Sequence, residues 1–378
     1  MIAARYRPPS DAALALADGR VFRGTAFGAQ RDVGGEAVFT TTMTGYQEVC
    51  TDPSFYGQLV CMTYPLIGNY GVNADDDESR RPWIAALIVR EVAADPSNWR
   101  CTSSLEGYLV KHDVPGLAGI DTRALTRHIR SVGDARAAII QGAADLTDAE
   151  LVGHAQAARI PGETDVVDIV AGDDVVSEGL SDGPHVVVVD CGVKRNIVRN
   201  LVSRGAYVTS VPYGTPFADI AALSPDGVVV SPGPGDPARL DSGLDIVREL
   251  TSRRIPYFGI CLGHQLLARS LGAETEKLKF GHRGGNHPVK DLASGKVSIT
   301  AQNHGYMVTP EHVPTQDGWR VGIVNLNDGS VEGLRHDDLP VLSVQFHPEA
   351  SPGPQDNGYL FDEFLDMIRN STRRQVGS

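Results

Sequence analysis

Ile255-Pro-Tyr-Phe-Gly-Ile-Cys-Leu-Gly-His-Gln265 reads as a short apolar strand breaking directly into a helix, with a glycine two residues either side of the thiol of Cys261. A turn this sharp forces its central residue into a strained conformation and lifts the side chain out of the sheet. Gly259 and Gly263 remove the Cβ atoms that would collide there. The thiol then opens a helix, where free N–H groups and the positive dipole end favour an anion. Most cysteines simply pack, so a catalytic reading of Cys261 requires a base.

The chain around this elbow alternates strand and helix. His185–Asp190 is a continuous apolar run of the kind found in central parallel strands. Lys194–Arg204 follows as a helix stopped by Gly205, then strands at Tyr207–Val211, Gly227–Ser231 and Pro256–Ile260, with helices at Gly243–Arg253 and His264–Leu271. Val297–Thr300, Arg320–Val324, Val331–Leu334 and Val341–Phe346 add β structure before a last helix at Tyr359–Ile368. The pattern predicts an α/β fold, a doubly wound and mostly parallel sheet whose ligands bind at the carboxyl ends of the strands.

The first third is less regular, a smaller α+β domain. Leu14–Phe22 reads as two strands around an Asp-Gly turn, Trp83–Val89 as a buried strand, and Thr122–Arg130 as a helix capped by Asp121. The net charge is −13, and residues 141–184 carry −9 of it, with ten acidic side chains against Arg159 alone. That stretch is the expected boundary: an N-terminal domain over 1–140, an acidic linker over 141–184, and the elbow domain over 185–378.

Other bounds are simple. A chain of 378 residues exceeds one hydrophobic core. No basic stripe suggests nucleic acid, and no apolar run nears the roughly 20 residues that span a bilayer. Met1–Pro9 lacks a secretory apolar region, so the expected setting is cytoplasmic. The five cysteines, Cys50, Cys61, Cys101, Cys191 and Cys261, have neither disulfide nor zinc spacing. Cys191 follows a strand but has no accompanying base motif and reads as packing. The Gly281–Asn286 loop lacks the ending of a phosphate-binding loop. His282, His287 and His304 are not spaced as ligands, so no metal is expected.

A base does exist. Val341–Phe346 ends in His347-Pro348-Glu349, which would put the imidazole on the rim of Cys261 and a carboxylate behind it. After another strand, Ser231-Pro-Gly-Pro-Gly-Asp-Pro237 offers the backbone N–H of Gly235 as one oxyanion donor, with that of Leu262 as the second.

Taken in order, Pro-Gly-Pro-Gly-Asp-Pro, Gly-Ile-Cys-Leu-Gly-His-Gln and Gln-Phe-His-Pro-Glu resemble the class I, triad-type glutamine amidotransferases over about residues 185–370. Thr44–Glu48, Thr51–Ser54, Gly119–Arg123, Lys194–Ile197, Lys279–His282, Gln302–Gly305 and Glu349–Pro354 narrow the resemblance to the carbamoyl-phosphate synthase small chain. The resemblance implies that Cys261 attacks the side-chain amide of L-glutamine, with His347 moving protons and Glu349 supporting it. It implies glutamine-binding roles for Ser54, Gly233, Gly235, Leu262, Gln265, Asn303, Gly305 and Tyr306, where Tyr306 stands in place of phenylalanine. Ser54 would reach the site from the N-terminal domain. It also implies a large-chain partner that takes the ammonia and holds the ATP and Mg²⁺, with no cofactor on this chain. A stand-alone hydrolase would not need the N-terminal motifs, and a scaffolding subunit would be expected to have lost the triad.

Overall fold

The computed structural model describes residues 10–133, 135–313 and 315–376. The reading of Met1–Pro9 lies outside them. Contacts divide the chain into two compact units, Met1–Thr51 with Phe55–Pro161, and Asp52–Ser54 with Gly162–Ser378.

The first unit is a closed barrel of seven strands. These are β1 (Ser10–Leu16), β2 (Val21–Gly28), β3 (Val33–Thr40), β4 (Gln58–Met62), β5 (Ala86–Ile88), β6 (Pro115–Ala118) and β7 (Ala135–Gln141), closing in the order β1-β2-β6-β5-β4-β3-β7. The Asp-Gly turn does join an antiparallel pair, Leu14 facing Phe22. The buried strand expected over Trp83–Val89 shortens to Ala86–Ile88. Helix α1 (Thr122–Val132) begins as expected, with the Asp121 side chain accepting from the Ala124 N–H at 2.9 Å.

The acidic stretch 141–184 is not a free connector. Its helix α2 (Asp148–Ala157) starts with a Thr147/Glu150 capping box and buries Leu151 and Ala155 against Ala13, Ala15, Ala138 and Ile140 of the first unit. Farther on, Val167 is fully buried in the core of the second. Charge marks the exposed positions of this stretch, while a few apolar residues anchor it.

The second unit holds a ten-stranded sheet. Its strands are β8 (Val176–Glu178), β9 (His185–Asp190), β10 (Tyr207–Pro212), β11 (Gly227–Val230), β12 (Tyr257–Ile260), β13 (Thr275–Asp291), β14 (Val297–Val308), β15 (Trp319–Asn325), β16 (Val331–His336) and β17 (Val341–Val344). The order is β8-β10-β9-β11-β12-β17-β16-β15-β13-β14. Pairing is parallel from β10 through β9, β11 and β12 to β17, and antiparallel elsewhere. The expected doubly wound centre is present, and the stretch 281–286, read as a loop, lies inside β13 instead.

Strand alternation sends Val187, Val189, Val228 and Val230 to one face and Val186, Val188 and Val229 to the other. Helices α3 (Arg195–Ser203) and α6 (Tyr359–Val376) cover the second face, where Phe258 packs on Phe361 and Phe364 at centroid distances of 5.6 and 5.5 Å. Helices α4 (Asp241–Ser252) and α5 (Leu262–Ser270) cover the first. Burying each such aromatic contributes roughly 1.5–3 kcal/mol. The carboxyl ends of β9, β11, β12 and β17 therefore share one rim.

Candidate active site

Cys261 sits between β12 and α5 with φ 51° and ψ −99°, a conformation that costs a non-glycine residue about 1–3 kcal/mol. Its surroundings hold it there. The Cys261 N–H donates to the Val344 carbonyl at 2.8 Å, and its own carbonyl accepts from the Gln265 N–H at 3.1 Å. A Cβ on Gly263 would stand 2.3 Å from the Val230 carbonyl oxygen, and one on Gly259 would stand 2.8 Å from the Gly263 carbonyl. Neither contact is tolerable. The Gly-x-Cys-x-Gly frame thus follows from how closely α5 lies against β11.

The sulfur is buried among polar groups. Cys261 Sγ lies 3.8 Å from the Asn303 carbonyl oxygen, and the Gln345 amide Nε2 donates to it at 3.5 Å. His347 Nδ1–H donates to Glu349 Oε1 at 2.6 Å. The other nitrogen, Nε2, is buried without a hydrogen bond among the described residues and is turned to the thiol. Burial alone would push the His347 imidazole down, but the Glu349 carboxylate and Cys261 together raise it to about 10. Burial likewise acts to raise Glu349, yet the Lys194 ammonium and the His347 imidazolium hold its carboxyl down at about 2. Lys194 is 2% exposed, its Nζ 3.1 Å from Glu349 Oε1, and it also donates to the Ala350 carbonyl. The base is thus one end of a buried charge chain.

Other residues named from the sequence have defined partners. Leu262 is the first residue of α5, so its N–H lacks a carbonyl partner within the helix. Gly235 has φ +94°, and a Cβ on Gly233 would meet the Cys191 carbonyl at 2.3 Å. Gln265 Nε2 donates to the Tyr306 carbonyl at 2.8 Å and to Gln345 Oε1 at 3.1 Å, which leaves Gln265 Oε1 as an acceptor. Asn303 Nδ2 donates to Asp52 Oδ2 at 2.7 Å, while the Ser54 N–H donates to Asp52 Oδ1 at 2.9 Å. Ser54 Oγ is buried with no hydrogen bond among the described residues. Gly305 lies under the Arg283 guanidinium, 3.3 Å from where its Cβ would stand. Cys191 is fully buried in the core, and burial pushes its thiol well up.

Sequence reasoning passed over three residues. Gln345 stands two before His347, the spacing that places side chains on one side of an extended chain. Lys194 carries no local signal, because it stands beside Arg195 and Asn196 at the start of α3 and reads as one more polar residue there. Asp52 offered no local signal, because its partner Asn303 is 251 positions away. The histidine reading also changes. His282 and His304, far apart in sequence, face each other across the β13–β14 pair.

Residues 187–367 match the family described as "Glutamine amidotransferase class-I", and residues 14–139 match "Carbamoyl-phosphate synthase small chain, CPSase domain". The carbamoyl phosphate synthase small chain of Listeria monocytogenes is 50% identical over 363 residues, covering 96% of this chain and 98% of its own. That of Syntrophotalea carbinolica is 50% identical over 379 residues, covering 96% and 99%. The small chain of Archaeoglobus fulgidus is 49% identical over 362 residues, covering 95% and 99%.

Proposed function

The chain belongs to the family of carbamoyl phosphate synthase small chains, and on that footing we propose how its residues hydrolyse glutamine. It is the glutaminase subunit, releasing ammonia for a large chain that makes carbamoyl phosphate. The Cys261 sulfur attacks the side-chain amide carbon of glutamine with its proton held on His347 Nε2, in the imidazolium that the Glu349 carboxylate stabilises. The oxygen that becomes negative is met by the N–H groups of Gly235 and Leu262, each such donor contributing about 3–4 kcal/mol to transition-state stabilisation. His347 then gives the proton to the departing nitrogen, so the C–N bond breaks, ammonia leaves and a γ-glutamyl thioester remains. Water attacks the thioester, His347 takes its proton, and glutamate departs with the thiol restored.

The single observation that carries this reading is the ordered chain Lys194–Glu349–His347, with the free imidazole nitrogen turned to a thiol on a strained elbow. Gln265 Oε1 is the acceptor for the α-ammonium of glutamine, and Ser54 Oγ, the buried hydroxyl, a donor for its α-carboxylate. Asn303, Gly305 and Tyr306 complete the wall on β14, and Gly233 gives the substrate room beside the oxyanion donors. The large chain binds this subunit one to one and holds the ATP and magnesium. The complex works in the cytoplasm.

Cys261→Ala, purified with the large chain, tests this directly. Carbamoyl phosphate synthesis from glutamine should vanish, while synthesis from ammonium salts should continue. Persistence of the glutamine-dependent rate would show that another group is the nucleophile.

A further inference from the structure

Behind the glutamine wall, β13, β14 and β16 bring together His282, His304 and Glu332, which are 7%, 6% and 0% exposed. One nitrogen or oxygen from each lies within 4.8 Å of the others. Their hydrogen bonds determine which atoms carry protons. His282 Nε2 is 2.9 Å from Asp328 Oδ2, an acceptor only, so the proton is on Nε2. His282 Nδ1 is buried, without a hydrogen bond among the described residues, and 3.8 Å from Glu332 Oε1. His304 Nδ1–H donates to the Tyr306 carbonyl at 2.7 Å, which leaves Nε2 as its lone pair. That lone pair faces Gln302 Oε1 at 2.8 Å. The Gln302 amide is not free to turn, because its Nε2 donates to Glu332 Oε2 at 2.9 Å and to Thr300 Oγ1 at 3.1 Å.

A buried imidazole nitrogen without a hydrogen bond, a second imidazole nitrogen, a carboxylate and an amide oxygen therefore converge, and together they form a donor set for a cation. We propose that His282, His304 and Glu332 bind a divalent transition-metal ion of the zinc type, with Gln302 Oε1 or a water molecule as the fourth ligand. The donor set of two imidazoles and a carboxylate is one that zinc takes in a tetrahedron. Zinc ligands stand about 3.4 Å apart at bond lengths near 2.1 Å, so binding draws the three side chains inward by about 1 Å. The outer shell is already built. Asp328 holds His282, the Tyr306 carbonyl holds His304, and Asn325 Nδ2 and Gln302 Nε2 hold the Glu332 carboxylate, Asn325 at 2.7 Å. The same Tyr306 carbonyl accepts from Gln265. The ion's role is structural, bracing the strand that carries Asn303, Gly305 and Tyr306.

The test uses the full chain without a histidine tag. After chelator treatment, cobalt(II) is titrated in and followed by its visible absorption, alongside elemental analysis of the protein dialysed against zinc. We expect one ion per chain, a tetrahedral cobalt spectrum without thiolate character, and affinity about 100-fold weaker in His282→Ala and Glu332→Gln. Fewer than about 0.1 ion per chain with no cobalt band would overturn the proposal. So would a sulfur-ligated spectrum or variants that bind as tightly as the parent. Should the variants fail to fold, the stoichiometry and spectrum of the parent still decide.

Discussion

Two of the places where the second unit buries ionisable groups treat them differently. Beside Cys261 a buried chain of charges pairs opposites: Lys194 on Glu349, and Glu349 on His347. In the β13–β14–β16 cluster the one buried carboxylate, Glu332, is held by the neutral amides of Gln302 and Asn325, and burial raises it to about 7. Removing one member of a buried ion pair strands its partner, at about 3–5 kcal/mol. Removing a group held by neutral donors costs nearer 1 kcal/mol. Burial alone therefore says little about how much a charged side chain matters; its partners decide.

The comparison can be broken most directly at Glu349. Glu349→Gln should lower kcat by about 10²–10⁴-fold, because the imidazole loses the carboxylate that fixes its tautomer. It should also destabilise the chain by about 3–5 kcal/mol, because Lys194 loses its carboxylate; steady-state glutaminase assays and urea unfolding measure the two.

The pH dependence sharpens the same point. Glu349 is depressed in the folded chain, so its contribution is present above the unfolded carboxylate range, near pH 4.3, and is lost as pH falls toward 2. His347 is raised, so its contribution is complete below about pH 6.5 and is lost as pH rises through 10. Thermal unfolding across pH should show both limbs in the parent and flatter limbs in Glu349→Gln. Equal slopes would mean that the pair does not couple to folding.

Asp52→Ala should raise KM for glutamine about 10-fold with a smaller change in kcat, because a charge-assisted bond to Asn303 is worth about 1.5–3 kcal/mol and acts on the wall rather than on the thiol. The smallest effect belongs to the neutral cluster. In chelator-treated protein, Glu332→Gln should cost about 1 kcal/mol by urea unfolding, against the several expected at Glu349.

The rim was legible in the sequence because its signals are local. Gly259 and Gly263 flank Cys261, and Glu349 follows His347 by two residues, so each motif carries its own geometry. Of the barrel, only the first hairpin and the strand within Trp83–Val89 were legible. Gly34 and Gly35 resemble a turn, yet they lie within β3, where a Cβ on Gly35 would stand 2.3 Å from the Gly57 carbonyl. They are there for close approach. The same ambiguity hid β13, whose glycines and proline read as a loop although register shifts after Lys277 and Gly284 let a bulged strand continue through them. Asp52 and the facing His282 and His304 depend on pairings between distant segments, which spacing along the chain does not encode.

The hydrogen bond from Cys261 to Val344 has a consequence for the order in which the chain is made. Val344, Gln345, His347 and Glu349 all lie more than 80 positions downstream of the nucleophile, and synthesis runs from the N-terminus. Until the last strands emerge and pair with β12, Cys261 lacks both the contact that fixes its strained backbone and the base that takes its proton. A nascent or C-terminally truncated chain therefore carries an ordinary thiol, and the enzyme becomes reactive only when its final quarter is in place.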